Sequence, residues 1–235
     1  MTEVNTERRG PIAVITLNNP PVNVLSQPVR SGLMDALEKM ENDDNVIAIV
    51  LVCAGKTFIA GADIREFNKP PQPPHLPEVI ARIEACEKPV IAGIQGTALG
   101  GGLEVALSCH YRIALTNARV GLPEVNLGLL PGASGTQRLP RVTGIPRALD
   151  IMISGKTIDA KEANELGVID RLIDGGNLSN ATVAYAEELL QQGAGPRRIR
   201  DMIVEPVDDE FFAEYREKIA RRTRGLLSPE RIIRC

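Results

Sequence analysis

The chain alternates short apolar runs with segments whose apolar positions recur at helical spacing. Ile12-Ala-Val-Ile-Thr-Leu17 reads as a first strand, closed by the turn formers Asn18-Asn-Pro-Pro21. From Ser26 the apolar positions become Val29, Leu33, Leu37 and Met40, a helical stripe with Pro28 in its first turn. Val46-Ile-Ala-Ile-Val-Leu-Val52 is apolar on both faces and rich in β-branched residues, the pattern of a central strand covered by helices. Strand, helix, strand predicts a right-handed crossover and an α/β fold. A second helix is expected over Leu76 to Glu87 with Val79, Ile80, Ile83 and Cys86 inward, then a strand over Pro89 to Ile94. Just before that helix, Lys69 to Pro77 holds five prolines in nine residues, so it predicts a semi-rigid surface segment. Later, Leu127 to Gly135 reads as a buried loop, 136–142, 146–153, 159–166 and 178–192 as helices, and 168–173 as the last strand. The character changes at Gly193-Ala-Gly-Pro196, which divides a core of 1–193 from a C-terminal helical segment of 194–235. In that segment 208–224 predicts an amphipathic helix with Phe211, Phe212, Tyr215 and Ile219 on one face. Ser228-Pro-Glu230 starts a further helix with few residues left, so the natural chain is expected to continue.

The stretch that draws chemistry together is Ile94-Gln-Gly-Thr-Ala-Leu-Gly-Gly-Gly-Leu-Glu104, read with Val120-Gly-Leu-Pro-Glu124. Gly100 to Gly102 predict a strand-to-helix turn whose backbone N–H groups lie at the positive end of a helix, a setting for an anion or oxyanion. Glu104 falls in the first turn of that helix, where the dipole is expected to lower its pKa and suit it to a general base. Glu124 sits among Leu122, Pro123, Val125, Leu127, Leu129 and Leu130, where desolvation is expected to keep it protonated and suit it to a general acid. Two carboxyl groups biased in opposite directions beside an oxyanion site are what the addition of water across an activated double bond requires.

Composition narrows the classes. A chain of 235 residues, 43% hydrophobic and 24% charged, is long enough for one large core. A net charge of −3 argues against nucleic-acid binding over a broad basic face, although 194–235 carries +2 and the remainder −5. There is no apolar run long enough for a membrane helix, and residues 1 to 10 lack the apolar stretch of a signal peptide. Cys53, Cys86, Cys109 and Cys235 stand far apart, outside any zinc spacing, and read as reduced thiols of a cytoplasmic compartment. Cys109 and His110 are neighbours and make a poor nucleophile–base pair; a buried thiol beside a satisfied histidine is expected. Gly55-Lys-Thr57 and Gly155-Lys-Thr157 lack the first glycine of a phosphate loop, having Val50 and Asp150 instead, and Gly132-Ala-Ser-Gly135 lacks the last glycine of a nucleophile elbow, having Thr136.

Three ordered motifs, Phe58-Ile-Ala-Gly-Ala-Asp-Ile64, the 94–104 stretch and Gly121-Leu-Pro-Glu-Val125, closely resemble the signatures of the enoyl-CoA hydratase/isomerase (crotonase) family. Leu127 to Arg141 resembles the hydratase part of the multifunctional β-oxidation enzymes. The resemblance implies a crotonase-like α/β fold, a spiral of ββα units with a C-terminal helical region. It implies syn hydration of a trans-2-enoyl-CoA to the 3-hydroxyacyl-CoA in fatty acid β-oxidation, with Glu104 as base, Glu124 as acid, and the N–H groups of Ala62 and Gly101 as oxyanion hole. It further implies that the backbone near Ala60, Asp63 and Ile64 meets the adenine of coenzyme A, with Lys56 near a phosphate and Arg197-Arg198-Ile-Arg200 as a second phosphate candidate. The proline-rich segment would border the acyl pocket. No metal or redox cofactor is implied, coenzyme A being part of the acyl-CoA thioester substrate. Homotrimers, hexamers or linkage to a 3-hydroxyacyl-CoA dehydrogenase are the assemblies implied, in a peroxisome-like compartment for a eukaryotic source. Isomerisation of 3-enoyl to 2-enoyl-CoA, another enolate reaction, and a non-catalytic RNA- or protein-binding module stand as alternatives.

Overall fold

The computed structural model describes residues 3–235; Met1 and Thr2, at the head of the stretch read as lacking a signal peptide, lie outside it. Six strands form the main sheet: β1 (Val4–Arg9), β2 (Ile12–Leu17), β3 (Ala48–Cys53), β4 (Val90–Ile94), β6 (Tyr111–Leu115) and β9 (Arg171–Ile173), in the order β1-β2-β3-β4-β6-β9. β1 runs antiparallel to β2, paired from Val4 with Leu17 to Arg9 with Ile12, and every other pair is parallel. Its charged Glu7, Arg8 and Arg9 suit an edge, where an open row of backbone groups needs protection from further pairing.

The strands are buried on both faces because helices cover both. Ala13, Ile15, Ile49, Leu51 and Ala92 join one hydrophobic cluster with α1 (Gln27–Glu41), α2 (Leu76–Ala85) and α3 (Gly101–Ser108). The alternate residues Ile12, Val14, Val50, Val52 and Ile91 pack against α7 (Leu178–Gln191) through Val183, Tyr185, Ala186 and Leu189. A second sheet of β5 (Thr97–Leu99), β7 (Arg119–Gly121) and β8 (Ile158–Asp159) lies at the ends of the larger one. The chain twice passes from the large sheet to the small one and then into helix: β4, β5 and α3, then β6, β7 and α4 (Gly135–Thr143). This is the repeated ββα unit. Helices α5 (Ile145–Ser154) and α6 (Ala160–Glu165) follow, and in the C-terminal region α8 (Asp209–Ile219) and α9 (Ser228–Ile233) bury Tyr215, Ile219, Ile232 and Ile233 in the first cluster. No helix among the described residues is long and apolar enough to cross a membrane.

Five expectations change. β1, β5 and β7 are short or polar and β6 follows a helix without a turn signal, so the pattern of apolar positions does not announce them. The 127–135 loop is less buried than its leucines imply: Leu127 and Leu129 are 65% and 43% exposed. The last strand is shorter than 168–173, and the helix expected over 208–224 stops at Ile219. The side chains of Arg197 and Arg198 are tied to the core instead of forming a free basic face, while that of Arg200 stays half exposed and is anchored through its backbone. Arg197 pairs with Asp170 and lies over the Tyr111 ring, Arg198 Nε donates to the Glu84 carbonyl at 2.9 Å, and the Arg200 N–H donates to Glu84 Oε1 at 3.2 Å.

One buried cation fixes the proline-rich segment. Arg30 of α1 is 6% exposed and donates to the carbonyls of Leu25, Gln72 and Pro74 and to Glu66 Oε2. Glu66 in turn accepts the Gln27 N–H at the start of α1, a cap that the Ser26 side chain does not supply. Arg30→Met leaves these acceptors unpaired and is expected to lower stability by on the order of 2 kcal/mol in urea denaturation. A midpoint unchanged from the parent would contradict that role.

Candidate active site

The site begins where two backbones cross. Phe58 to Ala62 runs beside β5, with the Ile59 N–H donating to the Thr97 carbonyl and the Leu99 N–H to the Ile59 carbonyl at 3.2 and 3.0 Å. Ala62 also bridges Leu25. A Cβ on Gly102 would stand 2.1 Å from the Ile59 carbonyl oxygen, so the α3 N-terminus reaches this position only as glycine. Next to it, a Cβ on Gly101 would stand 3.6 Å from the Ala62 nitrogen. Among the described residues neither the Ala62 nor the Gly101 N–H has an internal acceptor. Two free donors on adjacent strand-end loops can meet one oxygen.

Glu104, on the first turn of α3, is 2% exposed, and its Oε1 accepts the N–H groups of Ala133 and Gly135, both at 2.8 Å. Gly135 has no room for a side chain, since a Cβ would stand 2.9 Å from that same oxygen. Burial raises the Glu104 pKa, opposed by the Gly135 and Ala133 bonds and by the positive charge of Arg138. The expectation of a pKa lowered by the helix dipole is therefore corrected: desolvation outweighs the favourable groups at this depth. Glu124 lies in the turn Pro123–Leu127 after β7, its Oε1 3.0 Å from where a Cβ on Gly100 would be. Its Oε2 is buried with no hydrogen-bond partner among the described residues. Burial, then the nearby charge of Glu104, pushes the Glu124 pKa up to about 7. Leu127 and Leu129, expected to surround it, are exposed instead. The two carboxyls thus flank one turn and feel each other's charge, so their protonation is coupled.

A cavity of about 390 Å³ adjoins Ala62. It is lined by Ala62, Leu25, Leu76, Phe67 and the Pro70, Pro71 and Gln72 segment, and Leu76 Cδ2 lies 2.8 Å from a Cβ on Gly101. Neither glutamate lines it; Gly100 faces Glu124, while Gly101 faces Leu76 and Leu25 of the cavity wall.

A family model described as enoyl-CoA hydratase/isomerase matches residues 7–218. The chain belongs to the enoyl-CoA hydratase/isomerase family. It is 44% identical over 228 residues to a peroxisomal bifunctional enzyme of Cavia porcellus, covering 95% of this chain and 31% of that protein. It is 40% identical over 188 residues to the peroxisomal fatty acid beta-oxidation multifunctional protein AIM1 of Arabidopsis thaliana, covering 77% of this chain and 26% of that one. The chain therefore spans about a third or less of the length of these relatives. A crystal structure titled as an enoyl-CoA hydratase subunit I from Geobacillus kaustophilus superposes with a TM-score of 0.75 at 38% identity, covering 81% of this chain and 76% of that one. The fold is the crotonase fold.

Within this family member the other sequence-predicted positions are more scattered. Lys56 is an exposed loop residue. The Ala60 N–H is spent on the Val22 carbonyl, and Asp63 uses its buried carboxylate on the Arg65 N–H and guanidinium. Ile64 is 69% exposed. His110 is buried, with Nδ1 accepting the Val90 N–H and Nε2 against the Glu84 carbonyl, and burial lowers its pKa to about 4. Sequence reasoning missed the amides of Ala133 and Gly135; the small residues of 132–135 were the available signal, tested only as a nucleophile elbow.

Two outcomes follow from this geometry. Glu124 has a folded pKa near 7 against an ordinary 4.5, so its neutral form stabilises the fold and that contribution is lost as pH rises through about 7. The Tm advantage of Glu124→Gln over the parent is expected to be near zero in acid and to grow to a plateau above neutrality; a gap independent of pH would contradict it. Gly135→Ala is expected to displace the Glu104 carboxylate, and a crystal structure of that variant with both amide bonds intact would refute the steric argument.

Proposed function

We propose that this chain hydrates trans-2-enoyl-CoA thioesters to 3-hydroxyacyl-CoA by syn addition of water, in fatty acid β-oxidation. The observation that carries the proposal is the pairing of two dissimilar carboxyls around the turn that holds the free Gly101 amide. The thioester oxygen gains charge as water attacks carbon 3, and the N–H groups of Ala62 and Gly101 receive it; one such donor contributes on the order of 3 kcal/mol to the transition state. Glu104, with one oxygen held by two amides, takes the proton from water. Glu124, neutral below about pH 7, delivers a proton to carbon 2. The cavity beside Ala62 takes the acyl chain, so the proline-rich segment sets chain length. The backbone around Ala60, Asp63 and Ile64, with Lys56, takes coenzyme A. The thioester is its own electron sink, and the reaction needs no further cofactor.

Relatives named as peroxisomal bifunctional or multifunctional enzymes support a peroxisomal setting and linkage to a further enzymatic part. By the family resemblance that part is a 3-hydroxyacyl-CoA dehydrogenase. Isomerisation of 3-enoyl-CoA is a second activity favoured by the unpartnered oxygen of Glu124, which can return a proton alone.

Decay of crotonyl-CoA absorbance tests the proposal. Glu104→Gln and Glu124→Gln are each expected to lower turnover by roughly 10² to 10⁴. Unchanged hydration in both variants would end the assignment. The parent's kcat/KM is expected to fall as pH rises through about 7, where free Glu124 loses its proton; a rise there would make Glu124 a base.

A further inference from the structure

The supports of Glu104 extend beyond the two amides. Between Ala133 and Gly135 stands Ser134, a non-glycine residue at φ +76 and the N-cap of α4. This left-handed turn is what lets both flanking N–H groups converge on one oxygen. Its carbonyl accepts the N–H groups of Gln137 and Arg138 at 3.0 and 2.9 Å, which pins the loop to α4. Arg138 is 7% exposed and makes a forked ion pair with Glu84 of α2, Nε to Oε1 at 3.1 Å and Nη2 to Oε2 at 2.6 Å. Its Nη1 reaches the Ala133 carbonyl at 3.5 Å. Ala133 is therefore held from both sides, its N–H by the catalytic carboxylate and its carbonyl by the guanidinium.

Glu84 is itself fixed. It is 1% exposed, its Oε1 accepts the Arg200 N–H, and its carbonyl accepts from Arg198 Nε and meets His110 Nε2. A buried ion pair so completely bonded is costly to build and adds little stability over apolar replacements, so its place directly behind the base calls for another role. The positive charge of Arg138 favours the ionised form of Glu104, while Glu84 masks part of that charge.

We propose that Arg138 and Glu84 are positioning residues for Glu104, fixing the Ala133–Gly135 amides on its Oε1 and setting the field in which it ionises. This rests on the hydratase reading of Glu104. The titratable and charged groups facing Glu104 are Glu124 from the turn after β7 and Arg138 from α4, with Glu84 of α2 behind Arg138. Beyond Glu84 stand His110, Arg198 and Arg200.

The test compares Arg138→Met, Glu84→Gln, the double variant and Arg138→Lys in two readouts. One is the pH profile of kcat/KM for crotonyl-CoA hydration. The other is the pH titration of the Glu104 carboxyl carbon by 13C NMR, assigned by its loss in Glu104→Gln. Arg138→Met is expected to raise the acid limb and the carboxyl titration by about half a pH unit or more and to lower kcat roughly tenfold with little change in KM. Glu84→Gln keeps an acceptor for Arg200 but unmasks the guanidinium, so both readouts move the other way. Arg138→Lys restores the position of the limb. The double variant carries no unpaired buried charge and keeps the test available where Arg138→Met does not fold; it is expected to match the raised limb.

Loosening alone would move both single variants in one direction, and that result overturns the proposal, as does a folded double variant with the parent's limb and carboxyl titration. A parent that hydrates no enoyl-CoA defeats the functional reading instead, and the carboxyl titration then still decides whether Arg138 and Glu84 set the ionisation of Glu104.

Discussion

At the head of α3, Gly102 lies so close to the Ile59 carbonyl that no side chain fits between them. This single steric constraint sets the start of α3, and with it the direction in which Glu104 enters the interior. It also leaves the Gly101 N–H beside the Ala62 N–H, each without an internal acceptor among the described residues. A buried, unpaired N–H such as that of Gly101 is ordinarily a defect; beside the exposed and equally unpaired Ala62 N–H it gives two donors that can meet one negatively charged oxygen. The double-layered architecture serves this approach. The main sheet brings β4 to its end, the small sheet adds β5, and pairing of β5 with the Ile59 segment locks the crossing.

Around that crossing, a buried acid and a half-buried one are held by opposite devices. Glu104 receives two amide bonds on one oxygen and the field of Arg138, whereas the buried Oε2 of Glu124 has no hydrogen-bond partner among the described residues. Desolvation raises both pKa values, but Glu104 has two amides and a guanidinium that favour its charge, whereas Glu124 has only its own backbone N–H and is further opposed by the charge of Glu104. The difference between the two carboxyls, the proposed base and acid, is therefore built from hydrogen bonding more than from depth. The same economy appears at Arg30, a buried cation that meets carbonyls of the proline-rich segment and so shapes the wall of the adjoining cavity.

Much of the framework was legible in the pattern of apolar positions. The stripe Val29, Leu33, Leu37 and Met40 is the buried face of α1, and the two-faced run before Cys53 is a central strand. The strand-to-helix turn at 100–102 was legible because consecutive glycines after an apolar run have few other uses. β6 was not, since Tyr111 and Arg112 interrupt its apolar character; Arg112 is buried through bonds to the Val168 and Cys109 carbonyls that no local pattern encodes. The sign of the Glu104 shift was misread for a related reason. The helix dipole is visible in sequence, but the depth of burial and the amides of Ala133 and Gly135, some thirty residues away, belong to tertiary structure. The basic run at 197–200 shows the same limit: its charges look free in the sequence, but in the fold Arg197 is committed to Asp170 and Arg198 to the Glu84 carbonyl.

The central claim is that two backbone amides polarise the substrate carbonyl before any proton moves. Difference Raman spectroscopy of an enoyl thioester bound to Glu124→Gln reads this directly, because the carbonyl stretch reports the strength of hydrogen bonding to its oxygen. A shift of that stretch to markedly lower frequency than in water is predicted. A frequency equal to that of the free thioester would contradict the account.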